Sequence, residues 1–144
     1  MSKQVLDISQ MQHLKELGVD TSKANFYWHR TKSLNNYEDW DEWKLHYGVL
    51  RLARGFRVIN CEYVRAFTLQ DILDLLPKEM MDKDDDKFVL RVEYGILCKV
   101  WYIGYYYYDV VFNDDGFQIG EELIDAAYKM LCWCAENGYL TTNK

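Results

Sequence analysis

The stretch GEELIDAAYKMLCWCAENG, Gly120–Gly138, is the longest helix signal in the chain. Gly120 is placed to cap it. Glu121 and Glu122 stand in the first turn, where the helix dipole favours carboxylates, and Gly138 suits the left-handed position that ends a helix. At about 100° per residue, Leu123, Ile124, Ala126, Ala127, Tyr128, Met130, Leu131, Trp133, Cys134 and Ala135 share an arc of roughly 220°, and Glu121, Glu122, Asp125, Lys129 and Glu136 take the rest. A surface helix needs only about 100° of apolar stripe. This helix must therefore be covered on two sides, by a sheet and by a neighbouring helix.

The sheet is sought upstream. Phe88–Tyr94, FVLRVEY, alternates Phe88, Leu90, Val92 and Tyr94 against Arg91 and Glu93, as a strand with one buried face does. Leu97–Tyr108, LCKVWYIGYYYY, is a long strand-like run, and Asp109–Phe112 is a short strand candidate before the turn Asn113–Gly116. Further back, Asn25–Arg30 alternates Phe26 and Trp28 against Tyr27 and His29. Trp43–Tyr47 sets Trp43, Leu45 and Tyr47 inside and Lys44 and His46 outside. After the Arg54-Gly55 turn, Phe56–Asn60 and its flanks return as another strand. Thr31–Glu42 and Asp82–Lys87 read as polar loops.

Two shorter helices complete the set. Leu6–Gly18 carries Asp7 as cap with Gln10 three residues on, and Leu6 and Met11 in the staple positions. Phe67–Leu76 repeats the device with Thr68, Asp71, Phe67 and Ile72, and Pro77 ends it. The whole reads as one α+β domain over 1–144: a single antiparallel sheet of about five strands with three helices, mainly on one face.

With those segments in place, MQHLKELGVDTSK (Met11–Lys23), AFTLQDILDLLPKEM (Ala66–Met80) and ELIDAAYKMLCWCAENGYL (Glu122–Leu140) together resemble a family of small uncharacterised proteins from prophages and other mobile elements of gut bacteria. The resemblance covers both ends and the middle of the chain. No activity is attached to that family, so it assigns no functional residue. It implies a bacterial, cytoplasmic setting and an accessory role.

Composition narrows the function classes. A net charge of −6 argues against a nucleic-acid partner, whose phosphates call for clustered Lys and Arg. No run of 18 apolar residues is present to span a membrane, and no secretory leader is read. Cys61, Cys98, Cys132 and Cys134 all sit in apolar segments and read as free, buried thiols of a reducing compartment. Cys132 and Cys134, two apart on a helix, point about 200° away from each other and cannot share a metal. His29 and His46 become neighbours if their strands pair, with Asp39 or Asp41 near enough to approach, but no metal or catalytic spacing accompanies them. The acidic loops Asp84–Asp86 and Asp114–Gly116 do not fit the EF-hand pattern, and nucleotide and hydrolase motifs are absent. The expectation is a protein without metal or cofactor, leaning to a non-enzymatic one.

The most unusual stretch is Trp101–Tyr108, WYIGYYYY, in a chain that is 16% aromatic. Alternation puts Trp101, Ile103, Tyr105 and Tyr107 under the helices and Tyr102, Tyr106 and Tyr108 on the open face, with Gly104 leaving a gap among the phenols. Tyr102, Tyr106 and Tyr108 are therefore the candidate contact residues for a protein partner or a second copy. A plain packed strand with tyrosine tips in water, base stacking, and an enzyme or small-molecule site with an aromatic-lined pocket are the alternatives.

Overall fold

A computed structural model describes residues 3–33, 39–48 and 58–140. In chain order these form α1 (Ile8–Glu16), β1 (Phe26–Ser33), β2 (Lys44–Tyr47), β3 (Val58–Ala66), α2 (Leu69–Leu75), β4 (Glu79–Met81), β5 (Lys87–Gly95), β6 (Val100–Tyr107), β7 (Val110–Val111), β8 (Phe117–Gly120) and α3 (Leu123–Glu136). The Arg54-Gly55 turn lies outside the described residues.

The architecture is α+β, but the strands make two antiparallel sheets, not one. The first has the order β2-β1-β3. In the second, β4, β5 and β6 follow one another, and β7 and β8 both pair along the far side of β6. The break falls where β3 ends. Phe67 and Thr68 leave the ladder, and Thr68 immediately caps α2 in a box with Asp71, each accepting from the other's backbone N–H. After Pro77 the chain starts a new ladder with β4. The N-terminal segment closes the end of β3, with Val5 bridging Thr68 and the Leu6 N–H donating to the Phe67 carbonyl at 2.9 Å. α1 is capped by Asp7 and Gln10 as expected.

The strands β4 and β8, three and four residues long, escape a reading by alternation. β8 also changes the start of the long helix. Gly120 ends that strand opposite Trp101, and the cap of α3 is Glu122, whose carboxylate accepts from the Lys3 N–H instead of from its own helix. Gly138 does follow the helix at φ +77°. α3 packs on β6 and β8 on one side and on α2 on the other, so the two-sided cover demanded by its wide apolar arc is present. Ile124, Met130, Leu131 and Cys134 are buried there with Ile103 and Tyr105 of β6. Among the described residues, no helix is long and apolar enough to cross a membrane.

Cover by α3 is uneven. Val92 and Tyr94, on the same face of β5 as buried Phe88, stay 38% and 47% exposed. In the first sheet the inside-outside alternation fails twice. Tyr47 is 73% exposed at the edge strand's end, while Tyr27, on the face opposite Trp28, is buried.

Candidate functional site

The register of the second sheet defines its open face. Antiparallel partners share a face. Glu93, Tyr102 and Ile119 therefore form one row across β5, β6 and β8, and Arg91, Gly104 and Phe117 form the next. Val89, Tyr106 and Val111 form a third, across β5, β6 and β7. This is the face away from α3. Met81, Val89, Phe117 and Ile119 are exposed on it, at 55%, 50%, 38% and 44%, and Tyr102 and Tyr106 are half-buried by their neighbours.

The structure thus brings Tyr102 and Tyr106 together on one open face and leaves out Tyr108. Tyr108 follows the end of β6 in the turn to β7, at φ +54°, and is 79% exposed, so it does not share the strand's alternation. Gly104 leaves no gap either. A Cβ built there would stand 2.7 Å from the Gly116 carbonyl oxygen and 2.8 Å from Phe117 Cβ, because the start of β8 is drawn in against the glycine.

Arg91 sits at the centre. Its guanidinium carbon lies 4.2 Å from the centre of the Tyr106 ring, a cation–π arrangement. Its Nε is 2.9 Å from Glu93 Oε1, out of line for a hydrogen bond. Burial pushes the Tyr106 phenol above its ordinary value, Arg91 pulls it back, and Glu93 adds to the rise. The Tyr102 phenol is also raised, first by its hydrogen bond with Cys98. Cys98 is exposed, contrary to the expectation of four buried thiols. It lies on the β5–β6 hairpin tip beside Ile96 and Leu97, which are 80% and 98% exposed.

The other candidate residues fall elsewhere. His29 and His46 do become neighbours, ring centres 5.3 Å apart, on the face of the first sheet that also carries Tyr27 and Tyr63. His46 stacks on Tyr27 and His29 on Tyr63. Asp41 does not join the imidazoles, since its carboxylate accepts from Thr31 Oγ1 at 2.9 Å. Cys132 and Cys134 diverge on α3. Burial raises both thiols, with Cys134 pushed up to about 11 beside the Tyr105 hydroxyl.

Asp82, Asp84 and Asp86 bring carboxylate oxygens within 4.8 Å of one another. Sequence reading passes over Glu93, which stands twelfth counting from Asp82, but β5 carries it away from the loop. Asp82 Oδ1 is already used by the N–H groups of Asp84 and Asp86 at 2.9 and 3.0 Å. A cleft of about 750 Å³ lies by Val19, Phe67, Asp71, Asp74, Leu75 and Leu140, and Phe67 is the one aromatic lining it among the described residues. Its carboxylates are engaged locally, Asp20 with the Ser22 N–H, Asp71 in the α2 cap and Asp74 with the Gln70 side chain.

No family model, no curated protein and no solved structure matches the chain.

Proposed function

We propose that this protein acts by binding protein rather than by catalysis, and that its working surface is the open face of the five-stranded sheet around Tyr102 and Tyr106. One observation carries the reading: Met81, Val89, Phe117 and Ile119 lie exposed beside these tyrosines on a face with no helix over it among the described residues. Contiguous apolar patches of this kind mark interaction surfaces. Tyr and Arg, here Tyr106 under Arg91, are favoured at the centres of such contacts. An accessory, non-enzymatic role in a bacterial mobile element, which the resemblance implies, is compatible with such a surface.

The alternative, a small-molecule site lined by aromatics, has less in its favour. Apolar Val19, Phe67, Leu75 and Leu140 line the cleft together with Asp20, Asp71, Asp74 and Lys23, and none of the residues Trp101–Tyr108 does. The test is the double variant Tyr102→Ser/Tyr106→Ser. It should keep its circular dichroism spectrum and lose about 1 kcal/mol of stability at most, as surface changes do. It should lose association, with itself or with captured protein, by tenfold or more. A folded variant that associates and captures as the wild type does would rule the surface out.

A further inference from the structure

We infer that the occupant of this face is a second copy of the same chain, docked across a two-fold axis that lies between the two stacked sheets and runs perpendicular to their strands. The inference rests on the reading of the open face as a binding surface. It follows from how two neighbouring rows answer each other. Glu93, Tyr102 and Ile119 form one row, and Arg91, Gly104 and Phe117 the next. Base faces acid, and an aromatic faces an aliphatic.

An axis passing between the rows lays each row of one copy over the other row of its mate. Arg91 then meets the second copy's Glu93, and Glu93 meets the second copy's Arg91. Tyr102 comes over the row of Gly104, where Phe117 fills the space beside the glycine, and Ile119 packs on Phe117. Every contact occurs twice, as an isologous interface requires. Face-to-face sheets about 10 Å apart interdigitate their side chains in this way.

The charges point to the same occupant. The chain carries −6 overall, yet this face is balanced, Glu79 and Glu93 against Lys87 and Arg91, so two copies can approach here without net repulsion. Both charges also remain open to solvent, the Arg91 side chain at 39% and that of Glu93 at 61%. Arg91 Nε itself is buried against Glu93, 2.9 Å from Oε1, so a second carboxylate meets the exposed part of the guanidinium and adds to that pairing.

Sedimentation of the full chain over a range of concentrations tests the proposal, with circular dichroism as the control for folding. The wild type should form a dimer. Arg91→Glu alone and Glu93→Arg alone should each weaken it at least tenfold, because like charges then meet twice. An equimolar mixture of R91E and E93R should restore a mixed dimer, and the doubly reversed R91E/E93R chain should dimerise by itself. The double reversal keeps the charge balance and serves where a single reversal does not fold. A wild type that stays monomeric overturns the second-copy proposal. If Tyr102→Ser/Tyr106→Ser still abolishes capture of another protein in that case, the binding face stands with a different occupant, and if it does not, the face falls too. A dimer that neither the mixture nor the double reversal restores overturns the register.

Discussion

The phenol of Tyr105 donates a hydrogen bond to the carbonyl oxygen of Pro77 at 2.8 Å. It ties the central strand of the second sheet to the segment that ends α2, across the seam where the chain leaves one sheet for the other. Tyr105 is fully buried, so its hydroxyl needs this partner. Tyr105→Phe keeps the ring and leaves the Pro77 carbonyl without its donor. The expected loss is about 1–2 kcal/mol, read as a lower urea midpoint with an unchanged slope. An unchanged midpoint would show that the seam does not depend on this bond.

The same buried group sets the behaviour in alkali. Cys134 lies 3.8 Å from the Tyr105 hydroxyl, and burial raises its thiol from 9.0 to about 11. A raised folded-state value means that the group's contribution is complete below its ordinary value and is lost as the pH climbs through the folded one. Stability should therefore fall between about pH 9 and pH 11, by about 2–3 kcal/mol through this thiol, with Tyr105 shifted in the same direction. Cys134→Ala should remove this portion of the alkaline loss. Denaturation midpoints of the two proteins at pH 8 and pH 11 are the check, and parallel losses would sink the assignment.

How much of this was legible follows from which interactions are local. The capping boxes of Asp7 with Gln10 and Thr68 with Asp71 close within one turn, and the residue spacing shows them directly. The face of Tyr102 and Tyr106 follows from strand parity once Ile103 and Tyr105 point inward. The end of the strand does not, because four consecutive tyrosines carry no alternation, and a left-handed turn at Tyr108 has no glycine to announce it. β4 and β8 exist only through their partners, so three or four residues by themselves give no period to read. Gly120 has a second use that spacing does not reveal: a Cβ there would stand 2.9 Å from the Ala126 N, so it admits the helix close to the strand and does not cap it. The split into two sheets is likewise a matter of long-range pairing.

Acid should act on the first sheet. Burial lowers the His29 imidazole from its ordinary 6.5, and His46 and Lys44 lower it further. Its Nε2 is buried and has no hydrogen-bond partner among the described residues to reward a proton. A depressed value means that the stability held by the neutral ring is present above pH 6.5 and is lost as the pH falls through the folded value. The melting temperature should drop from pH 7 to pH 5, and His29→Phe should flatten that drop. Titration of the His29 ring by NMR gives the same quantity directly, and a value above that of a free histidine would contradict the burial argument.

Gly104→Ala joins the fold to the open face. The added methyl would stand 2.7 Å from the Gly116 carbonyl oxygen, and that oxygen also accepts from the Tyr105 N–H at 2.9 Å. Backbone cannot yield as a flexible side-chain tip can. The start of β8 must move out, stretching that hydrogen bond and shifting Phe117, whose Cβ is 2.8 Å from the same point. Overpacking of this kind costs about 1–3 kcal/mol, and a lost backbone bond adds about 1 kcal/mol. The variant should therefore be clearly less stable in urea. At concentrations where it remains folded it should also associate more weakly, because Phe117 belongs to the rows proposed to bind. Wild-type stability would mean that β8 does not approach Gly104 this closely. Lower stability with undiminished association would separate Phe117 from the interface.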